Sequence, residues 1–424
     1  MGSRRDVDLD QNASRSRQEP RDNFSIDQSR KARIIRQAGK QDNVLRVMIQ
    51  QLMTLQGHHI SEARLEKPDE IIHRYLTPAI EALHGAIEGD EAGQVYHEFA
   101  SFCDQQLQNA DGLEDFQRIQ KLRERKEAEV HDLERMIKSA PSQGKEKDNL
   151  KLHRTKAKQW FDIDDREYQR LRDSREAFLR QSLENYLLCL KACDKYDNDV
   201  LRFAALWLEN WSSETANTAV SKHIAKVGSG KFAALMNQWS SRLLRNTNTF
   251  QKLLSALVTR VCVEHPYHGI YQLFAGSKTK GGKDDTAVSR WDAANAIVNI
   301  VKKHGTAGPI WITIHNANIE FVKFAQEKLD ESKAKPGAKV ALRKTTYGQR
   351  MEQAVKSSSF PPPTMSIPLR PDRDYSEVPI VAKWQPEFTI ASGISMPKIA
   401  TAIATDGKKY KQLVGLYLTH HGLS

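Results

Sequence analysis

The residues whose types and spacing suggest chemistry lie near the end of the chain, in the stretch FTIASGISMPKIATAIATDGKKYKQLV at positions 388–414. Two β-rich runs, 388–391 and 398–404, flank the small-residue loop Ser392-Gly393-Ile394-Ser395-Met396-Pro397. A third run, 409–414, follows Thr405-Asp406-Gly407-Lys408. Asp-Gly between strand-like runs is a hairpin signal, because both central residues tolerate positive φ. A strand, a small-residue loop and a second strand can cover phosphate groups with backbone N–H donors, and the strand after the hairpin is where a lysine would meet them.

Four other groupings invite a chemical reading. Cys262, Glu264, His265 and His268 lie close enough to suggest a metal site. No second cluster completes the four ligands of a closed zinc site, so the segment reads as a helix end followed by a proline turn. Cys189 and Cys193 stand one turn apart on an apolar helix and read as buried thiols rather than a redox pair. Residues 276–283, GSKTKGGK, lack the order of a phosphate-binding GxxxxGK[ST] loop and read as a linker. His420-His421 has no carboxylate companion and receives no role.

The elements that position these residues are mostly helical. Residues 1–40 are polar and rich in Arg, Asp, Gln and Ser, too poor in apolar surface to offset ordering entropy, and are expected to be a disordered arm. From Val44 apolar residues recur at three and four: Val44, Val47, Met48, Leu52 and Leu55, then Ile71, Ile72 and Tyr75 after Pro68, then Ile80, Leu83 and Ile87 after Pro78. Two long charged helices, carrying Leu113, Phe116, Ile119 and Leu122 and then Trp160, Phe161, Tyr168 and Leu171, are joined by a solvated turn at 141–148. That predicts an antiparallel hairpin, the unit of helical solenoids. Farther on, Phe203, Trp207, Trp211, Phe232, Met236 and Trp239 recur at helical spacing and read as packed interior. Asn248-Thr249 should cap a helix that Pro266 stops. Residues 330–344 are basic and are expected to be an exposed loop; Phe360-Pro361-Pro362-Pro363 forces an extended strap.

Composition bounds the partners. With 64 Lys plus Arg against 53 Asp plus Glu the net charge is +11, which favours contact with polyanions, DNA included. Both signs are abundant, however, and most of the charge is read as solvated helix faces. No apolar run approaches the roughly 20 residues of a membrane span. The start MGSRRD has no apolar signal region, and Asp6 breaks the myristoylation pattern. Four cysteines make no disulfide framework and point to a reducing compartment.

The C-terminal motifs resemble the phosphatidylinositol-3-kinase-related protein kinases, specifically the ATM type and its fungal telomere-maintenance counterpart. The matching residues are Phe360-Pro361-Pro362-Pro363-Thr364-Met365, Asp374-Tyr375-Ser376-Glu377-Val378-Pro379, the 388–397 segment, Asp406-Gly407 and Tyr410-Lys411-Gln412-Leu413-Val414. Upstream, Glu264-His265-Pro266-Tyr267-His268 with Tyr271-Gln272-Leu273, Asp194-Lys195-Tyr196-Asp197 and residues 202–208 (RFAALWL) resemble the helical FAT domain of that family.

The resemblance implies a mainly α fold: a TPR-like α-solenoid of FAT type, followed by a truncated β-rich kinase small-lobe start. The implied layout is a disordered arm at 1–40, FAT repeats at 41–275, a Gly/Lys-rich linker at 276–289, helices and a basic loop at 290–359, an incomplete catalytic domain at 360–414 and an aberrant tail at 415–424. By the same resemblance Ser392, Gly393 and Pro397 would cover the nucleotide, Leu413 would line the adenine pocket, and the phosphate-contacting lysine would stand just past Val414, where this chain has Gly415. The parent would be a nuclear serine/threonine kinase of DNA-damage checkpoint signalling and telomere maintenance, using ATP with Mg2+ or Mn2+. Its partners would be protein substrates, DNA-break and telomere-associated proteins at chromosome ends, a second copy in a homodimer and DNA itself, with no membrane. Without the lysine, the catalytic loop and a metal-binding aspartate, these 424 residues alone are expected to be inactive and to leave an incomplete sheet with unpaired edges. Two other readings stay open on the residues: a non-catalytic helical-repeat scaffold in which 380–414 caps the stack, and a basic nucleic-acid-binding protein.

Overall fold

The computed structural model describes residues 52–415 apart from positions 58, 64, 84–87, 142–143, 279–283, 330–334 and 394–395. The expected arm, the expected tail beyond Gly415 and the loop centre Ile394-Ser395 lie outside the described residues. The chain divides into two compact units, Met1–Asp199 and Val200–Ser424.

In the first unit, Pro68–Ile71 starts a helical run that widens into a π-turn at Ile72–Leu76 and closes at Thr77–Glu81. Helix α1 (Asp90–Gln108) follows, then α2 (Ala110–Ser139) and α3 (Lys145–Ala192). Asn109 caps α2 by accepting from the Asp111 amide. At about 1.5 Å per residue the 48 residues of α3 reach about 72 Å. The two long helices pair antiparallel as the charge and apolar pattern predicted: Phe116 stacks on Tyr168 at 5.4 Å, Arg123 donates to Asp165 at 2.5 Å, and Arg154 to Glu134 at 2.6 Å, successively nearer the turn. No residue of α2 is buried, so the outer hairpin is held by rings and ion pairs. The apolar mass lies at the other end, where Phe99, Phe102 and Cys103 of α1 meet Ile71, Leu76 and Phe178.

The second unit builds a helical stack from α4 (Asp199–Glu209), α5 (Glu214–His223), α6 (Thr249–Glu264), α7 (Pro266–Lys278), α8 (Asp285–Lys303) and α9 (Ala307–Gln326). Its core is the aromatic set read from spacing. Trp207 lies 5.9 Å from Trp239 and 5.1 Å from Phe250, and Phe203 lies 6.1 Å from Phe232, ring to ring. The indole N–H groups are satisfied inside: Trp207 donates to Asn217 Oδ1 and Trp239 to the Phe232 carbonyl. Trp211 departs from the expectation. It ends the stripe 48% exposed, because α4 stops at Glu209 and the chain turns there. Asn248 caps α6 through the Gln251 amide at 2.8 Å, and α7 runs through Lys278, carrying the first residues of the Gly/Lys-rich segment in helix.

After α9 come strand β1 (Lys339–Ala341) and helix α10 (Thr346–Ser357), then β2 (Val381–Trp384), β3 (Glu387–Ile390), β4 (Lys398–Ala404) and β5 (Lys409–Val414). All pairings are antiparallel; β4 carries β3 and β2 along one edge and β5 along the other, and β1 extends the sheet beyond β3. The basic stretch 330–344 is therefore not wholly a loop: Val340 pairs with Phe388, which covers an edge of the sheet. Alternation decides the inner face. Phe388 and Ile390 of β3 and Ala400, Ala402 and Ala404 of β4 are buried, and Phe388 meets Phe324 of α9 edge-on at 5.1 Å. Phe321 of α9 meets both Phe360 and Trp384 at 5.8 Å, fastening the strap and β2 to the same helix. The mainly α architecture with a small C-terminal sheet is the fold expected. Among the described residues no helix is long and apolar enough to cross a membrane.

Candidate nucleotide-binding edge of the C-terminal sheet

The loop between β3 and β4 is closed by one short hydrogen bond, from the Ala391 amide to the Pro397 carbonyl at 2.7 Å. Inside it the Met396 amide donates to the Gly393 carbonyl at 3.0 Å, and Gly393 sits at φ 141°, backbone that favours glycine. Ser392 and Gly393 are exposed, and among the described residues neither amide N–H has a protein acceptor. A methyl group on Gly393 would touch Pro397 Cδ at 3.4 Å, so the turn is folded onto the proline.

Register brings the remaining residues to the same end. Ile399 pairs with Leu413 and Lys398 with Val414, and a Cβ on Gly415 would come within 3.0 Å of Pro397 Cβ. Ser392, Gly393, Pro397 and Leu413 thus stand around one corner of the sheet. Leu413 is 67% exposed on the face away from α9, in register with Ile399 and followed along that face by Lys411 and Lys409, both exposed. The corner can offer free amides, an apolar ledge and positive charge. Among the described residues it brings no carboxylate to the loop.

One residue was missed in the sequence. Lys398 follows the loop directly, yet the alternation of β4 turns it inward with Ala400, Ala402 and Ala404, and it is 2% exposed. Its Nζ donates to the Ala325 carbonyl at 3.0 Å and lies 5.4 Å from the centre of the Phe324 ring. Burial lowers its pKa. The signal was available in the period-two spacing of small residues.

The cysteine–histidine cluster proves to be a fastening. Tyr375 accepts from the Arg370 amide at 3.4 Å, and its hydroxyl is hydrogen-bonded to His265 Nδ1 at 2.7 Å. His268 Nε2 donates to the Ile367 carbonyl at 2.7 Å. Glu264 takes the Ser229 hydroxyl and an ion pair from Arg373 at 3.3 Å. These groups hold the strap to the start of α7, and Cys262 is fully buried beneath Gly269 with its thiol pushed up to about 12 by desolvation. Among the described residues no set of three His, Cys, Asp or Glu side chains could hold a metal ion. Cys189 is fully buried, whereas Cys193, the other half of the supposed buried pair, is only partly covered.

No protein-family profile matches the chain. The serine/threonine-protein kinase tel1 of Emericella nidulans is 60% identical over 363 residues, covering 85% of this chain and 13% of that protein. The tel1 kinase of Aspergillus oryzae is 58% identical over 84% of this chain and 12% of its own. A solved structure of the FAT and kinase domain of CtTel1 superposes with a TM-score of 0.75 at 45% identity, covering 86% of this chain and 24% of that one. A C2-symmetric CtTel1 dimer gives 0.76 at 44% identity, over 86% and 13%. The chain spans about an eighth of the length of the curated relatives it matches. At 58–60% identity over more than four fifths of its length, the chain belongs to the fungal Tel1, ATM-type family of serine/threonine protein kinases, whose solved FAT and kinase domain it resembles.

Proposed function

We propose that this chain is the FAT-to-kinase segment of a protein that transfers the γ-phosphoryl group of ATP to serine or threonine in protein substrates. The observation that carries the reading is the corner itself. A loop whose Ser392 and Gly393 amides have no protein acceptor among the described residues, closed on Pro397, stands over a sheet face that presents Leu413. Backbone N–H groups in such a turn suit phosphate oxygens, and an exposed leucine beside them suits one face of a purine. Ser392, Gly393 and Pro397 would cover the phosphates, and Leu413 would line the adenine.

The residues present fit the phosphate chain and not the metal. Mg2+ or Mn2+ is held by carboxylates, and the described corner supplies none, so those ligands belong elsewhere in the parent. Residue 415, where the family carries a lysine, is Gly415. By themselves the 424 residues position part of a nucleotide and do not transfer phosphate.

The role proposed for the parent rests on the resemblance of its motifs to ATM-type kinases. We place it in the nucleus, in DNA-damage checkpoint signalling and telomere maintenance, with DNA-break and chromosome-end proteins and with DNA as partners. The dimeric state of the CtTel1 neighbour supports a homodimer.

The test is a pair of assays. In the full-length kinase, Leu413→Asp and Gly393→Val should each raise the KM for ATP several-fold with little change in the KM for a Ser/Thr peptide. The 424-residue chain should transfer no label from γ-labelled ATP. An unchanged KM for ATP in both variants would refute the assignment of the corner.

A further inference from the structure

Between α4 and α8 the second unit has a cavity of about 250 Å3 with an unusual lining. Its floor is aromatic: Trp211 lies 6.3 Å from Phe250, which itself packs on the buried Trp207, so a shelf of rings runs from the core to the surface. Leu208 and Leu244 complete the apolar wall. Its rim is cationic. Arg242 and Arg290 are exposed, and among the described residues neither guanidinium has a carboxylate partner.

A longer groove of about 1190 Å3 shares Leu244, Asn246 and Gln251 with that cavity and runs along α6 and α8. Its bed is made of small and aliphatic side chains, Ala256, Ala293, Ala296 and the 55% exposed Ile300. Along the shared end stand Arg245 and Lys252, and among the described residues the only acid lining either cavity is Asp292, already paired with Arg245 at 2.9 Å.

We infer that this surface is a docking site for an acidic peptide segment, one of whose bulky apolar side chains enters the Trp211 cavity. Three features select that occupant. The cavity is concave and sized for one side chain, which a nucleic-acid duplex does not supply. Trp and Arg are the residues that anchor protein interfaces, through ring burial and the bidentate guanidinium fork. The rim charge is positive with its single acid already paired, so an anionic segment meets complementary potential. The anion is the carboxylate of Asp or Glu, whose two oxygens match the guanidinium fork.

The 424-residue chain can be titrated into a fluorescein-labelled peptide in which glutamates flank one phenylalanine, read by anisotropy. Binding should weaken about tenfold or more in the double variant R242Q/R290Q and in W211A, and with peptides carrying Gln for Glu or Ala for Phe. These side chains are exposed, and circular dichroism of the variants should match the unmodified chain. As a charge swap, R242E/R290E should recover binding for the peptide with Lys in place of Glu. A phosphoserine peptide that binds more tightly than the glutamate peptide and loses that gain in R242Q/R290Q would overturn the carboxylate assignment; equal or weaker binding upholds it. Undiminished binding of the glutamate peptide by R242Q/R290Q would overturn the proposal. So would equal binding of the Ala-for-Phe peptide, or equally strong competition by oligothymidylate, since either reduces the contact to general attraction between polyions.

Discussion

Lys398 Nζ is bonded to the carbonyl of Ala325, in the last turn of α9, at 3.0 Å. A helix leaves its last four carbonyls without intrahelical partners, and its C-terminal end carries partial negative charge. One buried lysine therefore satisfies an orphan acceptor and fixes the first residue of β4 to the helix stack. The β3–β4 loop hangs from that residue. Lys398→Met keeps most of the apolar stem and leaves the carbonyl unpaired, so it should destabilise the chain by roughly 1–3 kcal/mol. Urea unfolding of the variant checks this; an unchanged midpoint would show that the bond contributes nothing net.

The strap fastening gives a pH dependence with a definite sign. His265 and His268 both have lowered pKa values, chiefly through burial and, for His265, also through the neighbouring His268. His265 is buried, and the buried Nδ1 of His268 has no partner for an added proton. In the unfolded chain both titrate near the ordinary value of about 6.5. Below that the unfolded state binds more protons, so stability is lost as pH falls from there toward the folded values. His97 has the opposite sign. Asp199, 2.8 Å away, raises its pKa, so its contribution is present in acid and lost as pH rises through the folded value. Histidine NMR titration should find His97 above 6.5 and the other two below; the reverse order would contradict the contacts described.

Thiol reactivity should follow exposure. Cys103, Cys189 and Cys262 are fully buried, and desolvation raises the pKa of each; Cys193 is partly covered. The thiolate is the reactive form, so iodoacetamide under native conditions should mark Cys193 first, with the other three labelled only after denaturation. Peptide mass spectrometry reads the order directly.

Much of this was legible in the chain. Spacing alone located the Trp207–Trp239 core, the cap at Asn248 and the long hairpin, because each rests on local periodicity or a single capping bond. The Asp-Gly turn gave the β4–β5 hairpin for the same reason. What escaped depends on contacts far apart in sequence. Strand β1 exists because β3, some fifty positions on, offers an edge to Val340; β2 exists because β4 does. The inward turn of Lys398 and the histidine fastening to Tyr375 are likewise tertiary. The corner residues Ser392, Gly393, Pro397 and Leu413 converge through strand register, which a linear reading placed in order but not in space. Trp211 shows the converse failure: its spacing continued the buried stripe after the helix had ended.

Two glycines separate strain in the core from strain at the surface. Gly348 lies under the turn before α10, and an added Cβ would stand 2.2 Å from the backbone carbonyl oxygen of Leu342 and 2.3 Å from the Thr345 hydroxyl that caps the helix. Backbone cannot yield as a flexible side chain can. Gly348→Ala should therefore break the cap and displace α10, whose Met351 carbonyl receives the Trp384 indole, at a cost of roughly 3 kcal/mol or more. Gly393 stands in open loop, where an added Cβ meets only Pro397 at ordinary contact distance but the positive φ is unfavourable. Gly393→Ala should cost only about 1 kcal/mol, because the exposed turn can relax. Thermal melts of the two variants provide the comparison. If Gly393→Ala proves the more damaging, the loop is held far more rigidly than its exposed position implies, and the corner is a structural joint rather than a cover for phosphate.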